Sequence, residues 1–196
     1  MQPLCEQCAT PLPHGRQCGS CLAVPPRFDR LIAPFVYAFP IDALIHALKY
    51  GRRLIASRPL AEALAATVDE RADLIVPMPL SAARLRERGF NQAHEIARLV
   101  GSAIGTQVAG NLCRRVVDTP PQTMLPWKAR ARNVRGAFVC DRDLQGARIA
   151  VVDDVVTTGA TLNEIARVLK RAGAAHVSGW SVARAVRHAV TPGPAN

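Results

Sequence analysis

Apolar residues recur along this chain with two different periods, one helical and one extended. Ile41, Leu44, Ile45 and Leu48 share one helix face, and the basic turn "KYGRR" follows them. A second helix is expected from Ser57 and Pro59 to about Asp69, with Ser57 as its cap. "DLIVPMP" at 73–79 reads as a short apolar strand stopped by Pro77 and Pro79. Phe90, Ala93, Ile96, Ala97, Val100 and Ile104 then mark an amphipathic helix. "ARIAVVDD" holds a continuous apolar run, Ile149 to Val152, of the kind a strand needs when both its faces are covered in a parallel sheet. In the helix after it, "TLNEIARVLKRAG", Leu162, Ile165, Ala166 and Leu169 form the inner face, Thr161 and Glu164 form a capping box, and Gly173 is the stop. "HVSGWSVAR" alternates as a final strand. Strands alternating with helices predict an α/β fold with a mainly parallel sheet flanked by helices.

Two segments break this rhythm. Residues 117–135, "VDTPPQTMLPWKARARNVR", contain three prolines, no clear period and many charges. They read as a long loop inside a compact domain, and such loops are usually lids or binding loops. "LAVPPRFDR" reads as a linker, because Pro25 and Pro26 forbid regular structure. The chain is thereby divided into 1–24, a linker at 25–30, and a main domain from 31 to 196.

The N-terminal piece carries its own chemistry. Cys5 and Cys8 form one C-x2-C pair, Cys18 and Cys21 a second, with nine residues between them. Four thiolates so spaced suit a closed tetrahedral structural zinc site. The intervening "ATPLPHGRQ" has no means of building a core, so metal must supply the folding energy. His14 is a spare ligand for a site the cysteines already fill. Cys113 and Cys140 read as ordinary buried thiols.

Charge narrows the choice of partners. The 196 residues carry a formal net charge of +10, and half of it falls between Arg114 and Arg135, where six cations face the single acid Asp118. An anionic partner and a solvated basic loop explain that cluster about equally well. No window reaches the ~20 uncharged apolar residues of a membrane span. The opening "MQPLCEQCAT" lacks the basic and apolar regions of a secretory signal, so a cytoplasmic location is expected.

The most informative stretch is "VVDDVVTTGATL" at 151–162: strand, acidic pair, small-residue turn, helix. Ligands of parallel sheets bind at the carboxyl ends of the strands, and helix N-termini attract anions. Val156, Thr157, Thr158, Gly159, Ala160 and Thr161 offer backbone amides and three hydroxyls to one phosphate, with Gly159 closing the turn. Asp153 and Asp154 would repel that phosphate directly. Acceptor-only groups suit instead the neighbouring hydroxyls of a ribose, or the water shell of Mg²⁺. A Walker B reading fails because the chain has no G-x4-G-K-[ST] loop. Phosphate, diol and metal together describe a phosphorylated sugar.

Those residues resemble the phosphoribosyl-pyrophosphate (PRPP) motif of type I phosphoribosyltransferases, and the chain as a whole resembles the ComF (competence protein F) branch. The resemblance rests on the four-cysteine N-terminus, "LKYGRR" at 48–53, "VPMPLSAARLRERGFNQA" at 76–93, "RRVVDTPPQTML" at 114–125, "RARNVRGAF" at 130–138 and "AR" at 183–184. It implies that Asp153 and Asp154 hold the ribose hydroxyls and that Val156 to Thr161 hold the 5′-phosphate. Pro77, Met78, Pro79 and Leu80 are similar to the pyrophosphate loop. Arg84 and Arg88 would add positive charge there, or else are exposed arginines at a helix start. Lys128, Arg130 and Arg132 would lie on a mobile lid at 117–135. The acceptor hood would fall in 25–60, where Lys49, Tyr50, Arg52 and Arg53 are candidates for ligand contact or simply a surface turn. Trp127 is placed either to stack on a base or to cap the core.

The resemblance implies a PRPP-binding protein of natural transformation, with Mg²⁺ accompanying PRPP. It would assist incoming single-stranded DNA and work with a helicase-like competence protein. The alternative is a metabolic enzyme that transfers phosphoribose from PRPP to a nitrogenous base.

Overall fold

The computed structural model describes residues 3–51, 53–117 and 134–186. A short helix, α1 (Gly19–Ala23), closes the cysteine segment. Then come β1 (Arg30–Ile32), β2 (Phe35–Val36), α2 (Ile41–Tyr50), a 3₁₀ turn (Leu54–Ala56), α3 (Ser57–Thr67), β3 (Leu74–Pro77), α4 (Ala82–Arg88) and α5 (Gln92–Ile104). The C-terminal half comprises β4 (Cys113–Arg115), β5 (Phe138–Cys140), β6 (Arg148–Val156), α6 (Ala160–Arg171) and β7 (His176–Arg184).

The main sheet is wholly parallel, in the order β1-β7-β6-β3, with β2 extending the β1 edge along β7. The apolar run of β6 follows from its two-sided burial. Ile149 and Val151 face a core completed by Phe28, Leu31 and the Leu162, Ile165 and Leu169 side of α6. Ala150 and Val152 face the opposite core, with Ile45 and Leu48 of α2, Leu60 and Leu64 of α3, and Ile96 and Val100 of α5. Helices therefore cover both faces, as an α/β sheet requires. In β7, Gly179 lets α6 approach closely, since a Cβ there would run into the Leu162 side chain.

Several local expectations need correction. The β7 segment does not alternate between core and solvent: from Val177 to Ala183 every residue is buried, because β7 is an inner strand. Trp180 is fully buried, and its indole N–H donates to Glu70 at 2.8 Å. Strand β3 does not stop before Pro77 but includes it. Pro77 shares the outward parity of Ile75, whose N–H and C=O bond to Gln107 and Ala109, so its missing N–H takes nothing from the ladder with β6. Ser57 is not a cap; it is the first residue of α3, and its hydroxyl donates back to the Leu54 carbonyl.

The capping box on α6 is absent as well. Gly159, at φ +77, is the cap residue, and Thr161 lies inside the helix. The Glu164 carboxylate turns instead to the Gly136 N–H at 2.7 Å and to Arg167. The irregular basic stretch also has an unexpected root. Its two feet pair as antiparallel β4 and β5, with Cys113 opposite Cys140. Glu164 holds the returning foot to α6.

Candidate functional site

Parallel pairing brings the carboxyl ends of the main-sheet strands to one edge, and an open cleft of about 310 Å³ lies there. Each wall comes from a different element. The end of β6, the turn after it and the start of α6 supply Asp153, Asp154, Thr157 and Thr161; the turn after β3 supplies Met78, Pro79 and Leu80. Helix α4 contributes Arg84 and Arg88, α5 contributes Gln92, the end of α2 contributes Lys49 and Tyr50, and Tyr37 follows β2. Arg115, from the first foot of the basic stretch, closes the rim.

Strand β6 runs on through the acids to Val156, so Asp153 and Asp154 sit within a strand rather than beyond one. Side chains alternate along a strand, and the two carboxylates therefore meet different surroundings. Asp154 is only 4% exposed and forms an ion pair with Lys49, whose side chain is itself 19% exposed. Burial works against its ionisation. The Lys49 ammonium and the Gln92 side chain outweigh that and hold the carboxyl below its ordinary range. Asp153 is pushed well above the ordinary carboxylate range, first by burial and then by the charge on Asp154. Burial also disfavours the Lys49 ammonium, but Asp154 and Asp153 together raise it, so this lysine stays charged. The acids differ in setting: Asp154 is paired with a lysine, while Asp153 is the harder of the two to ionise.

The opposite wall is ordered by side chains of the 76–93 segment. Asn91 accepts from the Ala93 amide to cap α5, and its own amide donates to the Met78 carbonyl at 3.1 Å, fixing the turn after β3. Arg88 donates to Gln92 at 3.0 Å, and its guanidinium lies 5.3 Å from the Tyr50 ring centre. Through Gln92 the arginine is connected to Asp154. Lys49, Arg84, Arg88 and Arg115 outnumber Asp153, Asp154 and Glu87 around the cleft, so its walls favour an anion.

Of the sequence-derived site residues, the cleft thus gathers Asp153, Asp154, Thr157, Thr161, Met78, Pro79, Leu80, Arg84 and Arg88. Val156 is buried, Thr158 is not among the lining residues and its hydroxyl accepts from the Ala160 amide, and Pro77 is buried in β3. Lys49 and Tyr50 belong to the cleft rather than to a surface turn. Arg52, Trp127, Lys128, Arg130 and Arg132 lie outside the described residues. Tyr37, Gln92 and Arg115 were missed. Gln92 and Arg115 lie inside strings that carry the family resemblance; nothing in the sequence singles out Tyr37.

The four cysteines form a second constellation. Their sulfurs all lie within 4.8 Å of one another, and Cys8 and Cys18 are 3.6 Å apart. Tetrahedral zinc with bonds of about 2.3 Å puts its sulfurs ~3.8 Å apart, so the set could hold such a metal. Burial alone would raise the Cys5 thiol, but N–H groups of Cys18, Cys8 and Gln7 bring it down to about 7. Cys21 is pushed far up by burial and by the neighbouring sulfurs. A cation at the centre removes that repulsion. No helix among the described residues is long and apolar enough to cross a membrane.

Comparison with known proteins identifies relatives of this chain. Residues 122–189 match the model of the phosphoribosyl transferase domain. The chain is 37% identical over 190 residues to the DNA utilization protein YhgH of Salmonella typhimurium, covering 92% of this chain and 84% of that one. It is 32% identical over 195 residues to competence protein F of Haemophilus influenzae, covering 93% and 85%. Among solved structures, a glutamine PRPP amidotransferase from B. subtilis overlaps 63% of this chain and 25% of its own, at 22% identity and a TM-score of 0.44.

Proposed function

We propose, from the premise that this chain belongs to the competence protein F family, that it binds PRPP in the β6–α6 cleft and acts in DNA uptake, handling incoming single-stranded DNA. The observation that carries the reading is the pairing of walls in one cleft. Asp153, Asp154, Thr157 and Thr161 stand on one side, and the 78–80 turn with Arg84 and Arg88 on the other. A ribose 5-phosphate fits the first wall by chemistry: amides and hydroxyls for phosphate, carboxylates for the diol. A pyrophosphate at C1 would extend toward the second, cationic wall. The metal suited to the four cysteines is zinc, and residues 1–24 serve as its knuckle.

Mg²⁺ would supply charge neutralisation to the pyrophosphate. The residues fit it in one respect: Lys49 already occupies Asp154, so Asp153 is the carboxylate left to face a hydrated cation. The basic segment 117–135, with Lys128, Arg130 and Arg132, would close over bound PRPP and keep water from C1. The net charge of +10 supports contact with a DNA backbone, and a helicase-like competence protein is the protein partner the family suggests. A cytoplasmic location accompanies this role.

One observation favours a second reading. Tyr37 and Tyr50 line the same cleft and would flank a planar base, as a phosphoribosyltransferase acceptor requires.

The test is fluorescence anisotropy of a labelled single-stranded oligonucleotide with the full chain, with and without PRPP and Mg²⁺, over a salt series. The expected result is binding that weakens log-linearly with salt and survives Asp153→Asn. No binding at low salt would overturn the DNA role. Nucleotide formed from PRPP and a panel of bases would favour the metabolic reading.

A further inference from the structure

One side chain touches both constellations. Arg184, the last residue of β7, is half-buried between the cysteine segment and the β6–α6 loop. Its Nε donates to the Cys8 carbonyl at 2.9 Å, and its Nη2 to the Thr10 hydroxyl at 3.3 Å. Its Nη1 donates to the carbonyls of Val156 at 3.1 Å, Thr157, and Ala185 at 2.7 Å. A guanidinium accepts nothing, so Thr10 Oγ1 must be the acceptor in its bond with Arg184. The hydroxyl hydrogen is then left for the Cys8 sulfur, 3.1 Å away. The Thr10 carbonyl meanwhile accepts from the Cys5 amide at 2.8 Å. On this side Arg184 is fastened to the backbone and the outer hydrogen bond of a metal-ligating sulfur, where such partners orient ligands and tune affinity.

On the other side it holds two peptide planes. In a trans peptide the N–H points opposite to the C=O. Fixing the Val156 and Thr157 carbonyls toward Arg184 therefore aims the Thr157 and Thr158 amides the other way. These amides belong to the loop proposed to cradle the 5′-phosphate.

We propose that Arg184 is a positioning residue that couples the two sites: a metal in the four-cysteine knuckle fixes the guanidinium, and the guanidinium fixes the phosphate loop. The coupling rests on the sugar-phosphate reading above. Lysine would not replace the arginine, because one ammonium cannot span four acceptors on two separate segments.

The test uses the full chain and ribose 5-phosphate, which carries phosphate and diol but no pyrophosphate. Its affinity is measured with zinc bound and after chelation, with near-UV circular dichroism confirming that both forms stay folded. Removing the metal should weaken binding by about tenfold, within the usual range of coupling between sites. By reciprocity, ribose 5-phosphate should tighten zinc by the same factor, read by competition with a chromophoric chelator. Both effects should vanish in Arg184→Lys. Thr10→Val, which removes the hydroxyl between Arg184 and the Cys8 sulfur and leaves the phosphate-loop bonds in place, should weaken ribose 5-phosphate in the zinc-loaded chain, an arm that does not require a folded metal-free form. Equal affinity with and without metal, or a difference retained in Arg184→Lys, overturns the coupling alone. Failure of the wild-type chain to bind ribose 5-phosphate in either form overturns the sugar-phosphate reading and the coupling with it.

Discussion

Lys49→Met isolates the charge balance of the cleft. The substitution keeps most of the side chain's bulk and removes the cation paired with Asp154. Breaking a buried ion pair by deleting one partner costs about 3–5 kcal/mol. Lys49 keeps a fifth of its exposure, so the lower end, ~3 kcal/mol, applies at neutral pH. For a chain of this size that is a fall in melting temperature of about 6–12 °C.

The pH dependence follows from the signs. In the wild-type chain Asp154 is held low, so its contribution is present above the ordinary carboxylate pKa and is lost as pH falls through its depressed value. Asp153 is held high, so its neutral form suits the fold and its ionisation opposes it as pH rises. Without Lys49, Asp154 joins Asp153 in that second class. The deficit of Lys49→Met should therefore grow with rising pH and shrink in mild acid. Lys49→Met combined with Asp154→Asn should recover most of the loss, since no unpaired charge remains. Urea denaturation of the three chains at mildly acidic and mildly alkaline pH provides the assay. A Lys49→Met chain within ~0.5 kcal/mol of wild type throughout, the range of an ordinary surface substitution, would refute this account of the cleft.

Three further perturbations probe separate features. Gly159→Ala places a Cβ at φ +77, where the Phe28 ring is no closer than 3.6 Å; the cost is backbone strain of about 1–2 kcal/mol by urea denaturation, with weakened binding of ribose 5-phosphate. Glu164→Gln removes the charge from the bond to the Gly136 amide and from the Arg167 pair, and should destabilise by ~1–2 kcal/mol. Arg167 holds Glu164 below its ordinary range, so that difference should fade as pH drops through the depressed value. Cys8→Ser should reduce bound zinc from one equivalent to well below one by metal analysis, and acidification should release zinc from the wild-type chain as protons compete for the thiolates.

How far the sequence anticipated the molecule depends on the range of the interaction. The two C-x2-C pairs are separated by only nine residues in sequence, and their sulfurs do converge. The apolar run of β6 and the inner face of α6 are also short-range patterns, and both hold. Features made by chain crossings were hidden. Lys49 at the end of α2 reaches Asp154 in β6, and Arg184 at the end of β7 reaches Cys8 in the cysteine segment, each across a long separation in sequence. Periodicity along one segment carries no trace of such meetings. Glu164 shows the opposite failure: its spacing from Thr161 satisfied a local capping rule, but the Gly136 amide and Arg167 claimed its carboxylate. Local rules lose where the fold brings in a donor that offers a stronger partner.

The central claim is that the β6–α6 cleft binds PRPP, and calorimetric titration of PRPP with Mg²⁺ tests it most directly. One site per wild-type chain is expected, with loss of that binding in Asp153→Asn, which removes the open carboxylate while leaving the Lys49–Asp154 pair in place. No heat from the wild-type chain, or equal affinity in the Asp153→Asn chain, would contradict it.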